Sequence, residues 1–127
     1  MSELKSGRFK LSDFQCLAAC GGFSYGDTLG AGTGWAQSIL CDEHLRDEFR
    51  DFFHRKGTSS LGVCNGDQMI SQIKELIPGA DHFPSFKHNT SQIFESRSVD
   101  VVIPESNAVI FRGMAGSVLP IVVSHGE

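Results

Sequence analysis

The sequence predicts an α/β fold with a mainly parallel sheet, and two observations support this class. Short apolar runs bounded by glycines, typical of buried strands, alternate along the chain with segments whose apolar residues recur at helical spacing. The chain has 127 residues, of which 40% are hydrophobic and 20% charged, so it can bury a real core and lacks the composition of a disordered protein.

The first half of the chain predicts one strand followed by two helices. Residues 1–13 are polar, and residues 14–20 form a nearly continuous apolar run that ends at a Gly-Gly pair, which predicts a buried strand. A glycine-rich loop follows at residues 21–34. Apolar residues then mark two helices on either side of Asp42, which is the expected N-cap of the second helix.

The second half predicts a further strand, a helix and more β-structure. Residues 60–63 read as a short strand, and residues 69–77 carry apolar side chains at helical spacing before a Pro-Gly pair ends the helix. Residues 93–103 are rich in β-branched side chains, and residues 119–123 predict a last strand. Cys64 therefore lies between a strand and a helix.

Charge and cysteine spacing argue against several classes of function. The 15 acidic and 11 basic residues give a net charge of -4, and the basic residues are scattered, so nucleic acid is not an expected partner. No apolar run approaches the ~20 residues of a membrane span, and no signal peptide is evident, so a cytoplasmic protein without a membrane partner is expected. The four cysteines show neither a disulfide framework nor zinc-ligand spacing, which favours reduced thiols and no metal site.

Cys64 is the candidate nucleophile. Small residues stand two before and two after it, at Gly62 and Gly66, as in the sharp strand-to-helix turn that exposes a nucleophile above a sheet. Its place at a helix N-terminus also favours the thiolate. A small buried Cys with a structural role would fit the same five residues, so the turn alone leaves both interpretations open.

His125 and Glu127 supply the base and the orienting group that thiol chemistry needs. Because side chains alternate along an extended chain, both point to the same side, where the carboxylate can hold the imidazole. The other histidines lack this setting.

Backbone N–H groups can form the oxyanion hole of such a site. Asn65, which follows the nucleophile, is the candidate for one donor and Gly22 for the other. The Gly-Gly pair could instead be a simple tight turn. The glycines at residues 30–34 could also cradle a phosphate, but they lack the Lys that follows the glycines of a nucleotide-binding P-loop.

Several segments together resemble a known family. They are CGGFSYGD at residues 20–27, LGAG at 29–32, LGVCNGDQ at 61–68, LIPG at 76–79, LPI at 119–121 and SHGE at 124–127, with Asn89, Ser91, Phe94, Glu95 and Arg97 between them. In this order they closely resemble the C-terminal glutaminase domain of the large, single-chain phosphoribosylformylglycinamidine synthases of purine biosynthesis, a class I glutamine amidotransferase domain.

The resemblance implies a flavodoxin-like three-layer sandwich and a catalytic triad of Cys64, His125 and Glu127. Glutamine would be held partly by Gln68 and by the glycine-rich loop at Gly21, and would be hydrolysed through a cysteinyl thioester. Ammonia would pass to a synthetase region of the same enzyme, which uses ATP and Mg2+ to aminate formylglycinamide ribonucleotide. No cofactor is expected in this chain.

The chain departs from the family pattern in three places. Asp67 stands where the family usually has a second Cys, and a carboxylate so close to Cys64 would disfavour the thiolate, so a slower nucleophile is expected. Residues 1–127 are expected to form a partial domain that lacks the first strand-helix unit and the C-terminal end, which leaves Glu127 on a chain end. We therefore expect the chain by itself to be weakly active or inactive.

Two other functions stay open at this point. The chain could be a truncated, inactive relative that only docks on a synthetase domain, or a redox or hydrolase protein with a Cys on the same kind of turn. The joint presence of Cys64, His125 and Glu127 favours the amidotransferase.

Overall fold

The computed structural model describes residues 1–127, which form two compact units, Met1–Lys87 and His88–Glu127. The first unit contains strands β1 (Cys16–Ala19) and β2 (Ser59–Gly62) and helices α1 (Ser2–Lys5), α2 (Thr33–Leu40), α3 (Glu43–His54) and α4 (Asn65–Gln72). The second unit contains strands β3 (Glu95–Val102) and β4 (Val118–His125). Short 3-10 turns lie at Leu11–Asp13, Ser24–Asp27, Lys74–Leu76 and Val109–Phe111.

The first unit is built on a parallel pair of strands. β1 and β2 run parallel from the pair Cys16 and Ser59 to the pair Ala19 and Gly62. Helix α4 follows β2 directly and packs against both strands. The predicted α/β class with a parallel sheet is therefore confirmed, and so is the position of Cys64 between a strand and a helix.

The core of the first unit lies between its helices and the sheet. Its largest fully buried side chains come from α2, α3 and the α4 region: Ile39, Leu45, Phe49, Phe52, Met69 and Ile73. The side chain of Asp42 accepts a 3.2 Å hydrogen bond from the backbone N–H of Leu45, which confirms the predicted N-cap of α3.

The prediction that residues 14–20 form a buried strand is only half correct. The strand is present, but Ala19 alone is buried in it, while Cys16 and Ala18 are exposed and Phe14 before it is 45% exposed. The reason is that α4 covers one face of β1, whereas a short apolar run such as residues 14–20 cannot show whether one face or both will be covered.

The second unit is an antiparallel pair, a direction of pairing that the sequence did not specify for these two strands. β3 and β4 pair in register from Glu95 and His125 to Val102 and Val118. Between them residues 103–117 contain only a 3-10 turn, and parallel neighbours need a long crossover, usually a helix.

None of the helices has both the length and the apolar character that a membrane-spanning helix requires.

Candidate active site

The turn that carries Cys64 is sharp and strained. Cys64 has φ 55° and ψ −118°, a left-handed backbone conformation that residues with a side chain rarely adopt. Glycines on both sides make this conformation possible. A Cβ at Gly62 would lie 2.7 Å from the Cα of Asp67, and a Cβ at Gly66 would lie 2.0 Å from the backbone oxygen of Ala19. The predicted role of the two small residues therefore has a direct geometric cause.

Cys64 is exposed and occupies the N-cap position of α4. In the first turn of the helix, the N–H groups of Gly66, Asp67 and Gln68 donate to the carbonyls of Val63 and Cys64. The N–H of Asn65 makes no backbone hydrogen bond within residues 1–87. The N–H of Asn65 and the positive end of the helix dipole therefore both lie at the end of α4 that carries Cys64. Both stabilise a negative charge there.

Gly21 and Gly22 continue from β1 toward the same turn. A Cβ at Gly21 would lie 2.9 Å from the Cβ and 3.5 Å from the Sγ of Cys64. The side chain of Cys64 therefore packs directly against this glycine. Gly22 has φ 125°, and no other atom lies within 4 Å of the position that a Cβ would occupy there. The structure thus places Gly21 directly against Cys64, and Gly22 follows Gly21 in the chain.

Asn65 and Gln68 form a buried polar pair behind the nucleophile. Each residue is 2% exposed, and the Nδ2 of Asn65 donates a 3.2 Å hydrogen bond to the Oε1 of Gln68. The Oδ1 of Asn65 is buried without a hydrogen-bond partner. Gln68, the expected glutamine-binding residue, is therefore held on the inner side of α4 next to the helix N-terminus.

Asp67 lies one helical turn after Cys64. It is exposed, and its backbone N–H donates a 3.0 Å hydrogen bond to the carbonyl of Cys64. Its carboxylate therefore belongs to the first turn of α4, where the helix dipole favours an acidic side chain. Asp67 and Cys64 therefore both lie at the N-terminal end of α4.

The glycine-rich loop is unusually strained and is fixed to α4. Tyr25, Asp27 and Ala31 all have positive φ values, between 45° and 58°. The Oδ1 of Asp27 accepts a 3.0 Å hydrogen bond from the N–H of Gly32, and Gln72 of α4 donates to the carbonyl of Ala31 and to the hydroxyl of Thr33. Gln72 therefore ties the loop to the helix that carries Cys64, a role that the sequence did not reveal.

His125 and Glu127 lie in the second unit, at the end of β4. His125 pairs with Glu95 in the β3–β4 ladder and is half-buried. The side chain of Glu127 is 14% exposed, and its Oε1 lies 3.6 Å from the Nδ1 of His88. His88, to which the sequence assigned no role, therefore lies beside the carboxylate of Glu127.

Asn89 contacts the same segment. Its Nδ2 donates a 2.8 Å hydrogen bond to the carbonyl of His125 and a 3.0 Å bond to that of Ile93. Its backbone N–H donates a 2.9 Å bond to the carbonyl of Gly126. The sequence marked Asn89 only as a residue shared with relatives, because a contact across 36 positions leaves no local pattern.

The comparison with protein families agrees with the chemistry of these residues. The family model of the CobB/CobQ-like glutamine amidotransferase domain matches residues 1–127, the whole chain. Both compact units lie within the match, as do the turn at Cys64 and the segment at His125. The chain therefore belongs to the CobB/CobQ-like glutamine amidotransferase domain family.

Proposed function

We propose that the chain is the glutaminase part of a phosphoribosylformylglycinamidine synthase, with Cys64 as the nucleophile. The observation that carries the proposal is the strained turn at Cys64, which presents an exposed thiol at the N-terminus of α4 in a chain matched throughout to a glutamine amidotransferase domain. Backbone strain of this kind costs about 1–3 kcal/mol and clusters at functional sites.

The proposed reaction begins with attack of the Cys64 Sγ on the side-chain amide carbon of glutamine. His125 accepts the thiol proton and then donates it to the departing nitrogen, which leaves as ammonia, while Glu127 orients the imidazole. The tetrahedral oxyanion is stabilised by the N–H groups of Asn65 and Gly22. Water, activated by His125, then cleaves the thioester to give glutamate and the free thiol.

The finer assignment, to purine biosynthesis, is supported by the segments CGGFSYGD, LGVCNGDQ and SHGE. In this proposal the ammonia passes to a synthetase region, which binds ATP and Mg2+ and aminates formylglycinamide ribonucleotide. The chain itself has no group of three His, Cys, Asp or Glu side chains arranged to hold a metal ion. The resemblance to the synthases is the basis on which we assign the ATP and Mg2+ sites to the synthetase region.

The proposal is tested by measuring glutamate released from glutamine, with the chain alone and with its synthetase region. We expect clear release with the synthetase region and weak release without it. Cys64→Ser should lower the rate by at least about 10³-fold, because nucleophile and base act as a unit. Cys41→Ser, at an exposed thiol hydrogen-bonded only to Gln37, is the matched control and should leave the rate unchanged.

One result would oppose the proposed nucleophile, and another would oppose the expected weakness of the chain alone. A Cys64→Ser variant with the wild-type rate would exclude Cys64 as the nucleophile. Full activity of the chain alone would contradict the expectation that it is weak without the synthetase region.

A further inference from the structure

Three consecutive residues at the end of β4 are all held by one pair of residues. Asn89 binds the carbonyls of His125 and Gly126, through its side chain and its backbone respectively, and His88 contacts the carboxylate of Glu127. The pairing of β3 with β4 ends at His125. The contacts of His88 and Asn89 therefore continue the support of the chain beyond the point where the sheet stops.

The side chain of Asn89 joins the two strands at their open end. Its Nδ2 donates to Ile93, which precedes β3, and to His125, which ends β4. An amide has two N–H donors, so one Asn89 side chain satisfies both carbonyls at once. The carbonyl of Asn89 accepts a 2.8 Å hydrogen bond from the N–H of Gln92, which has φ 58°, so the turn that carries Asn89 is itself closed.

We propose that Asn89 is a positioning residue that fixes the backbone of residues 125–127 so that the His125 imidazole and the Glu127 carboxylate hold their working orientation. This inference rests on the proposed function, since it gives those two side chains their catalytic role. A displacement of about 1 Å in a catalytic group can cost on the order of 10²-fold in rate. A residue at the end of a sheet ladder is free to move by such a distance unless other hydrogen bonds restrain it.

The test is the rate of glutamate release by Asn89→Ala and Asn89→Asp variants, in the chain assembled with its synthetase region. Asn89→Ala should lower kcat on the order of 10- to 100-fold and leave KM for glutamine within about twofold, because misplacement of the base affects the transition state and not substrate binding. Asn89→Asp keeps the shape of the side chain but replaces the NH2 group, with both of its donors, by an oxygen atom. Its kcat should fall at least as far as that of Asn89→Ala.

Ser91→Ala is the matched control. Ser91 lies in the same turn, and its hydroxyl donates its 2.8 Å hydrogen bond to the carboxylate of Glu95 and not to residues 125–127. It should leave kcat unchanged. If Asn89→Ala does not fold, Asn89→Ser, which keeps one donor, is measured in its place and should show a smaller fall in kcat with the same KM.

A double-mutant comparison separates positioning from a general loss of structure. On a His125→Ala background, Asn89→Ala should cause no further loss, because the side chain that it positions is gone. Equal losses on both backgrounds, or a loss carried by KM, would overturn the inference. Persistence of activity in Cys64→Ser would instead refute the proposed function, whereas wild-type kcat in Asn89→Ala together with an inactive Cys64→Ser would refute only the role of Asn89.

Discussion

Cys64 combines two properties that a structural thiol does not need. It is exposed, and its backbone is held in the left-handed region although it is not a glycine. A small buried Cys, the alternative that the sequence left open, would show neither property. The strain is sustained by close packing of Gly62 on Asp67 and of Gly66 on Ala19, which leaves the chain no room to relax.

Asp67 gives the first prediction at the scale of single residues. Asp67→Asn removes a negative charge from the first turn of α4 and should raise the rate of Cys64 alkylation at neutral pH by about threefold, as expected for the loss of one nearby charge in a partly aqueous setting. Alkylation rates across a pH series provide the measurement.

Asp51→Asn is the control for this prediction. Asp51 is exposed on α3 and the substitution changes the net charge by the same amount. It should leave the rate unchanged. A pH profile that is the same for Asp67→Asn and the wild type would show that Asp67 does not restrain the nucleophile.

The turn between β2 and α4 is the element that holds the candidate nucleophile in place. The sequence predicted it well because its determinants are local: a short strand, two glycines and a helical pattern lie within a few positions of Cys64. The N-cap at Asp42 was predictable for the same reason. The extent to which β1 is covered was not, because it depends on which helix packs on which face.

Gly66 provides a prediction at this scale. A Cβ at position 66 would overlap the backbone of Ala19, at 2.0 Å from its oxygen and 2.4 Å from its carbonyl carbon, so Gly66→Ala must push α4 away from β1. We expect it to lower the free energy of unfolding by about 3 kcal/mol. Urea denaturation followed by circular dichroism measures the difference.

Gly34→Ala is a matched control, because Gly34 is also the second residue of its helix, α2. A Cβ there would make only an ordinary contact, 3.4 Å from the Cβ of Tyr25, and alanine favours the helix by about 0.5–1 kcal/mol. It should be neutral or stabilising. Equal destabilisation by both substitutions would mean that the turn does not depend on a close approach at Gly66.

At the scale of the whole molecule, the sequence predicted the class of fold and the family better than the arrangement of the second unit. Motifs at residues 20–32, 61–68 and 124–127 indicated a glutamine amidotransferase, and the family match over residues 1–127 confirmed that level of the prediction. The antiparallel pairing of β3 with β4 was missed, because β-branched composition predicts strands and not their direction.

The partners of the catalytic candidates were also beyond the reach of local patterns. His88 and Asn89 contact residues 125–127 across nearly the whole second unit, and Gln72 reaches the glycine-rich loop across 41 positions. Such contacts depend on the folded chain. They are therefore the part of the site that the structure adds to the sequence.

The most direct test of the central claim is covalent labelling with a chloroketone analogue of glutamine, applied to the chain assembled with its synthetase region and mapped by mass spectrometry. All four cysteines are free and exposed, so accessibility alone does not select among them. We expect labelling at Cys64 that free glutamine slows, with Cys16, Cys20 and Cys41 left unmodified. Comparable labelling of the other three thiols, or no protection by glutamine, would contradict it.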